Sequence, residues 1–354
     1  MHSPRPFSSS MRSRSVDPRR RVARAAPFVA LALLALAAAC GGGANVRVTI
    51  PPGANMRAAA ESLAKADVVR GKRLFRLYAS LRGSDRGIKA GTYLLHRNSS
   101  WGSVLDALRA GKGIVDVVTI PEGFSLAQIE PLVAAKLGRP IDSVDAAARD
   151  TALLHRVGTP APTLEGYLFP DTYVFPAGAT ARSAVEAMVR RFEQVWRPEW
   201  TARLDTIQLT RTQVLALASI VEKEARLAAE RPVIAAVYLN RLRTGMLLQA
   251  DPTVQYALGK HVSRVYYKDL EVDSPYNTYK HAGLPPGPIA SPGKASIEAA
   301  LYPANVPYLY FVAFPDGHHE FHRDLKDHET AKLAARKAWD SVDVARRADS
   351  ARAK

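Results

Sequence analysis

The stretch Leu-Ala-Ser-Ile-Val-Glu-Lys-Glu at 217–224 has the pattern of an amphipathic helix that ends with an acid on its apolar face. A Thr-x-x-Gln capping box at 210–213 predicts where this helix begins. At about 100° per residue, Glu224 falls roughly 60° from Val221, whereas Glu222 lies on the other side of the apolar stripe. Burial disfavours the charged form of a carboxyl, so the pattern predicts a raised pKa and a general acid at Glu224. The alternative is an exposed, salt-bridged helix end.

Composition limits the classes of protein that this chain can represent. Its 354 residues exceed one typical domain, and a hydrophobic content of 47% is sufficient for ordinary cores. The net charge of +16 is concentrated at the ends, with seven arginines in the first 26 residues and seven Lys/Arg in the last 24. The middle is only mildly basic, which argues against a nucleic-acid-binding groove.

The N-terminus has the features of a targeting segment. An uncharged run of 13 residues, Pro27–Ala39, is shorter than a membrane-spanning helix needs and suits a signal-peptide core. It ends at Cys40, the only cysteine, followed by three glycines, as in a bacterial lipobox, although Leu36 lies one position too early. We predict a signal or anchor segment at 1–39 with lipidation at Cys40, and an uncleaved anchor helix as the alternative. Either arrangement places the remainder outside the cytoplasm.

An internal repeat organises the next part of the chain. Val-Thr-Ile-Pro-Pro-Gly at 48–53 recurs as Val-Thr-Ile-Pro-Glu-Gly at 118–123, and a helical pattern follows each copy. We predict an α+β protein in which a small βα module resembling LysM glycan-binding modules precedes a mixed α+β catalytic domain. The predicted segments are a Gly-rich linker at 40–45, the LysM-like region at 46–117, a connecting βα unit at 118–162, the catalytic domain at 163–330 and a basic helical tail at 331–354.

Further elements carry polar residues. A helix from Pro232 to near Gly245 places Asn240 on its apolar face, where a structural amide is the alternative to a site residue. Asp251 before Pro252 predicts the cap of a new helix. The irregular loop 274–293 combines aromatic and amide side chains, which suit sugar rings. A buried strand at 308–314 is predicted to turn into a hairpin at 320–322.

Several chemistries find little support. The histidines at 318, 319 and 322 lack the helical spacing of a zinc site, so we predict no metal. The sequence contains no Gly-x-Ser-x-Gly elbow, and its lone cysteine lies in the leader. It also has no phosphate-binding glycine loop. Catalysis by a carboxylate side chain is the chemistry that the sequence still supports. We predict no cofactor.

Four blocks of sequence together resemble the endolytic murein transglycosylases, the MltG or YceG-like family. They are EGYLFPDTY at 165–173, ASIVEKE at 218–224, the stretch from 229 to 259, and SPYNTYKHAGLPPGPIASPG at 274–293. The resemblance implies a membrane-anchored, extracytoplasmic enzyme with a LysM-like region. It implies mid-chain cleavage of peptidoglycan glycan strands, leaving 1,6-anhydro-N-acetylmuramic acid ends, and one essential glutamate at Glu224. The leader with its lipobox-like Cys40 departs from the longer anchor helix expected of the family.

The predicted mechanism needs one acid. Glu224 protonates the glycosidic oxygen and then deprotonates the sugar's own C6 hydroxyl, which closes the anhydro ring. The predicted partners are glycan strands and the peptidoglycan synthesis machinery. The distance between the LysM-like region and the catalytic domain, both of which bind glycan, is predicted to set the length of the strands. Candidate substrate-binding residues are Asp171, Tyr173, Asn240, Gln249, Asp251, Asn277 and Tyr279.

Two alternatives stay open. One is a hydrolase with Asp171 or Asp251 as a second carboxylate, and the other is a non-catalytic peptidoglycan-binding scaffold. An aminodeoxychorismate lyase, an older label for this family, would need a pyridoxal phosphate lysine. Lys223 is the one candidate for that role, and the sequence around it offers no phosphate-binding segment.

Overall fold

The computed structural model describes residues 44–259 and 265–352, which form two compact units, one ending at Ile114 and the other beginning at Val115. The predicted signal segment, Cys40 and most of the predicted linker lie outside the described residues. Within these ranges, no helix is both long and apolar enough to cross a bilayer.

The described part of the first unit contains two strands and three helices. Strands β1 (Asn45–Ile50) and β2 (Gly91–His96) pair antiparallel, with helices α1 (Met56–Lys65) and α2 (Lys72–Leu81) between them in sequence and α3 (Trp101–Ala110) after them. Their inner side chains, such as Leu63, Phe75 and Tyr93, form a core of their own. Removing this apolar surface from water is what holds so small a unit together.

The second unit contains the remaining elements. Strands β3 (Ile114–Thr119) and β4 (Thr172–Pro176) pair antiparallel, and so do β5 (Tyr310–Ala313) and β6 (His319–His322). The helices are α4 (Leu126–Leu137), α5 (Ile141–Ala148), α6 (Thr151–Val157), α7 (Ala181–Val195), α8 (Pro198–Ile207), α9 (Arg211–Glu224), α10 (Arg231–Arg243), α11 (Asp251–Ala257), α12 (Lys294–Leu301) and α13 (Leu325–Arg352).

The internal repeat is confirmed as two strand–turn–helix units. β1 leads into α1 and β3 leads into α4, and each connecting turn has its glycine, Gly53 or Gly123, in the left-handed conformation that favours this residue. The second copy does not stand apart as a connector. The apolar side chains of the segment 118–162 lie in the main core of the second unit.

The helix α9 is confirmed, but its predicted amphipathic character is wrong. The capping box is present, since Gln213 N–H donates to Thr210 Oγ1 and Thr210 N–H to the Gln213 side chain. All eight residues from 214 to 221 are buried, because α10, α11 and α12 pack against several sides of the helix. A helix that is apolar all round is a central core element rather than a surface one.

Two smaller expectations need correction. Asp251 is the first residue of α11 rather than its cap, since Ala250 occupies the cap position and no side chain caps the helix. The predicted buried strand at 308–314 is shorter, at Tyr310–Ala313, and only half-buried. The predicted tail is part of the helix α13, which packs on β5 and β6 and whose Trp339 Nε1 donates to the carbonyl of Ala313.

Candidate active site

Glu224 is the last residue of α9, at the point where this buried helix reaches a cavity. Its carboxylate Oε1 accepts a hydrogen bond of 2.8 Å from the hydroxyl of Tyr238, which lies on α10 and is itself buried. The side chain of Glu224 is only partly accessible. The core helix therefore carries a carboxyl group from the interior to a surface that a ligand can reach.

The surroundings of Glu224 favour its protonated form. Burial raises the pKa of Glu224 from 4.5 to about 7. The hydrogen bond from Tyr238 lowers that pKa, the negative charge of Asp251 raises it, and the positive charge of Arg241 lowers it, but burial dominates. Near neutral pH this carboxyl can both hold and release a proton, as a general acid–base group must.

The cavity beside Glu224 has a volume of about 620 Å³. This volume falls within the range of pockets that bind small molecules. Its wall is dense in aromatic and polar side chains: Tyr238, Arg241, Gln249, Asp251, Tyr266, Tyr267, Tyr279, Phe311, His319 and His328.

Three predicted binding residues line the same cavity as Glu224. Asp251 accepts a hydrogen bond of 2.6 Å from the hydroxyl of Tyr279, which joins α11 to the long loop. Gln249 is exposed, with its backbone in the left-handed region at a φ of 51° and its N–H bonded to the Thr278 carbonyl. Their side chains can therefore contact a ligand in this cavity.

Two of the predicted binding residues, Asn240 and Asn277, do not line the cavity. Their amides instead bind backbone carbonyls near it. The Nδ2 of Asn240 donates to the carbonyls of Val306 and Tyr308, at 2.8 and 3.0 Å. The Nδ2 of Asn277, which is fully buried, donates to the carbonyls of Leu270 and Val272, both at 2.8 Å. Each amide thus fixes an irregular backbone segment near the cavity.

The other two predicted binding residues lie elsewhere in the second unit. Asp171 forms an ion pair with Arg191 at 2.6 Å, and Tyr173 is buried in β4 with its hydroxyl bonded to the Phe169 carbonyl at 2.5 Å. Neither side chain belongs to the cavity wall. The structure therefore brings Gln249, Asp251 and Tyr279 to Glu224 but leaves Asp171 and Tyr173 apart.

Glu222 points away from Glu224, as the helix geometry predicts. Its carboxylate accepts a 3.0 Å hydrogen bond from the N–H of Gly293 and lies 3.7 Å from Arg231. Lys223, between the two acids, donates to the carbonyl of Gly123 at 3.3 Å. The three consecutive charged side chains therefore have three separate environments, and only Glu224 lines the cavity.

Glu165 is a second buried acid whose pKa burial raises to about 7. It is 5% exposed, and both of its oxygens lie 3.0 Å from the N–H of Leu126, the first residue of α4. It does not line the cavity with Glu224. A raised pKa alone therefore does not identify the active site, and the position of Glu224 at the cavity separates the two acids.

The sequence did not point to several residues in the cavity wall. Tyr238 is one, although a tyrosine in an apolar helix needs a partner for its hydroxyl. His319 is another, since the sequence raised it only as a metal ligand; its Nδ1 lies 2.7 Å from Glu230 Oε2 and its ring is edge-to-face with Phe311. Tyr267 is a third and is 91% exposed at the cavity rim.

Comparisons with known proteins agree with this architecture. A model described as the YceG-like family matches residues 48–334. An endolytic murein transglycosylase of Bacillus subtilis (strain 168) is 37% identical over 304 residues, which cover 81% of this chain and 84% of that protein. An endolytic murein transglycosylase of Streptococcus pneumoniae serotype 2 (strain D39) is 31% identical over 327 residues, covering 81% of this chain but 59% of that protein.

A solved structure is similar over the same extent. The crystal structure of a YceG-like protein from Listeria monocytogenes matches with a TM-score of 0.60 and 34% identity, covering 81% of this chain and 98% of that one. Fold and site together define a mixed α+β protein with a protonatable carboxyl at an open cavity. The chain belongs to the YceG-like family.

Proposed function

We propose that Glu224 is the general acid and base with which this protein, a peptidoglycan lytic transglycosylase, cleaves glycan strands in mid-chain. The observation that carries the assignment is the position of Glu224, whose pKa burial raises to about 7, at an aromatic-lined cavity beside the Tyr238 hydroxyl. The substrate bond is the one between N-acetylmuramic acid and N-acetylglucosamine.

The first step transfers the proton of Glu224 to the glycosidic oxygen. The bond between C1 of N-acetylmuramic acid and that oxygen breaks, N-acetylglucosamine leaves with a free hydroxyl, and an oxocarbenium-like centre develops at C1. The carboxylate left on Glu224 is stabilised by the hydrogen bond from Tyr238.

In the second step the Glu224 carboxylate removes the proton from the C6 hydroxyl of the same N-acetylmuramic acid. The C6 oxygen attacks C1, the 1,6-anhydro ring closes and Glu224 is protonated again. No water is consumed, and the nucleophile belongs to the substrate. The protein supplies proton transfer and positioning, which can together account for large rate gains.

Substrate positioning is assigned to side chains of the cavity wall. Gln249 offers an amide, the Asp251–Tyr279 pair offers a carboxylate and a phenol, and Tyr267 offers an exposed ring face at the rim. An aromatic ring can pack against the apolar face of a sugar while its polar edge stays hydrated. Asn240 and Asn277 act as positioning residues that hold the backbone segments they bond.

The alternative function that the geometry of the cavity allows is a hydrolase that uses two carboxylates. Asp251 is the other carboxylate in the wall of the described cavity, whereas Asp171 is engaged with Arg191 outside it. Hydrolysis adds one water to the products, and the transglycosylase reaction does not. Mass spectrometry of the product ends separates the two reactions.

The first unit is proposed to be a LysM-like region that binds a second part of the glycan strand. Its support is the order strand, helix, helix, strand, with β1 and β2 antiparallel around α1 and α2. A second contact raises the local concentration of strand at the cavity. The protein is also proposed to act beside the peptidoglycan synthesis machinery, whose nascent strands it would shorten.

Membrane attachment through a lipid on Cys40 completes the proposal. It is supported by the apolar run before Cys40 and the three glycines after it. The intact mass of the membrane-extracted protein tests it. A lipidated chain beginning at residue 40 is expected, and an unmodified chain that retains residue 1 would indicate an anchor helix instead.

The central test is digestion of purified peptidoglycan sacculi with the wild-type protein and with Glu224→Gln. The wild type is expected to release fragments with 1,6-anhydro ends, and the variant to release them at least about 10²-fold more slowly. Release of anhydro ends by the variant at the wild-type rate would overturn the role of Glu224.

A further inference from the structure

The helix α2 of the first unit exposes three large apolar side chains. Leu74, Leu77 and Leu81 are 61%, 57% and 80% exposed, although a small domain gains stability by burying leucine. At about 100° per residue the three fall within an arc of roughly 60°. Phe75 and Ala79, on the opposite side, are fully buried in the core. The helix thus has one apolar face packed inside the unit and a second one at its surface.

The segment that carries this exposed face is rich in positive charge. The segment 70–86 carries six cations, Arg70, Lys72, Arg73, Arg76, Arg82 and Arg86, against one acid, Asp85. Among the described residues, Lys72 is the one member of the six with an ion pair, a loose 3.9 Å contact with Glu61. Arg82 lies over the ring of Tyr78, 5.2 Å from its centroid. The other cations are free to meet negative charge from outside the unit.

We propose that the α2 face, formed by Leu74, Leu77 and Leu81 with the cations of 70–86, docks on an anionic lipid bilayer. Leucine side chains suit the boundary between headgroups and acyl chains, which an amphipathic helix lying in the membrane plane reaches to a depth of about 5–10 Å. Arginine and lysine stems can extend over the apolar surface while their charged ends meet anionic headgroups.

The chemistry of this face selects lipid over the other candidate occupants. Sugar rings are recognised by aromatic faces and amides, and the three central side chains here are aliphatic. A second copy of the chain would bring the same six cations against themselves, which like-charge repulsion opposes. The proposal rests on the first unit alone and is independent of the catalytic role of Glu224.

The test uses the full-length protein in vesicles and the variant Leu77→Trp, whose introduced indole reports its surroundings. In vesicles of brominated phosphatidylglycerol, the introduced tryptophan is expected to be quenched beyond the wild-type signal and to shift its emission to the blue. Vesicles of brominated phosphatidylcholine should give much less of both effects. The matched control is Leu333→Trp on α13, because Leu333 is 63% exposed and lies in the other unit.

Adding Leu74→Asp and Leu81→Asp to Leu77→Trp should abolish the quenching without unfolding the protein, since both positions are exposed. Four outcomes would overturn the proposal. They are no quenching above wild type, equal quenching at position 333, equal quenching in both lipids, and a blue-shifted emission before lipid is added. The last outcome would show that protein already covers the face. The anchor segment is the same in every variant, so it cannot produce a difference between them.

Discussion

The hydroxyl of Tyr238 donates a 2.8 Å hydrogen bond to Oε1 of Glu224, which joins the end of α9 to the middle of α10. This bond favours the charged carboxylate, whereas burial favours the neutral acid and has the larger effect. Glu224 can therefore be a neutral acid in the first step of the reaction and a carboxylate in the second.

Glu224→Gln is expected to lower turnover by roughly 10²–10⁴-fold, because the amide keeps the shape of the side chain but cannot transfer a proton. Binding of glycan should persist. The measurement is the rate at which anhydro ends form from sacculi, and the matched control is Glu222→Gln. Because Glu222 bonds Gly293 and faces away from the cavity, its variant should keep most of the activity. The reverse order of the two variants would contradict the assignment.

Tyr238→Phe is expected to move the pH dependence of turnover. A general acid acts while it is protonated, so activity should fall as pH rises through the pKa of Glu224, about 7. Removing the hydroxyl removes an interaction that lowers this pKa, and the alkaline limb should therefore shift to higher pH. Tyr256→Phe serves as the control, because its hydroxyl bonds the other buried acid, Glu165. An unshifted limb in Tyr238→Phe would show that another group sets it.

Stability is expected to fall as pH rises through neutrality, and Glu165 should contribute part of the fall. Burial raises its pKa from 4.5 to about 7 in the folded state, so the folded protein binds the proton more tightly than the unfolded chain. The contribution is complete below pH 4.5 and is lost as pH rises through 7, at up to roughly 3 kcal/mol for this shift.

Glu165→Gln should flatten the pH dependence of the free energy of unfolding, measured by urea denaturation between pH 4 and 8. Glu298→Gln is a suitable control, because the side chain of Glu298 is partly exposed and pairs with Lys294 at 3.6 Å. Equal flattening in both variants would mean that burial of Glu165 is not the cause.

Tyr267→Ala is expected to weaken substrate binding, because the ring is 91% exposed at the cavity rim and is free to pack against a sugar. An aromatic contact of about 0.5–1.5 kcal/mol corresponds to a roughly twofold to tenfold rise in KM. Turnover at saturation should change little. Tyr302→Ala, an exposed tyrosine outside this cavity, is the control. A loss confined to kcat would indicate a different role for Tyr267.

Local features of the structure were largely predictable from the sequence. The starts of α1 and α3 follow from caps at Asn55 and Ser100, whose side chains accept from the N–H groups of Ala58 and Ser103. At the start of α4 the side chain of Gln128 accepts from the N–H of Ser125. The start of α9 was predictable for the same reason, from the capping box of Thr210 and Gln213. What could not be predicted was that α9 is buried on all sides, since this depends on which helices surround it.

The remaining wall of the site depends on contacts between distant residues. Tyr238 meets Glu224 from another helix, and Tyr279 meets Asp251 across 28 positions. Asn240 and Asn277 show that the role of an amide cannot be predicted from its sequence context. An amide beside aromatic residues has the same pattern whether it binds a sugar or a backbone carbonyl, and both of these bind carbonyls.

The first unit is expected to influence where along the strand the protein cuts. If the first unit binds glycan while Glu224 cleaves it, the spacing of the two contacts should set the length of the strand between them. Deleting the first unit should then shift and broaden the distribution of product lengths. The deletion should span residues 46–113, because β3 begins at Ile114 and pairs with β4 from Val115 to Thr119. Circular dichroism and retained cleavage would show that the shortened chain is folded. An unchanged length distribution from such a chain would leave the first unit as a spacer.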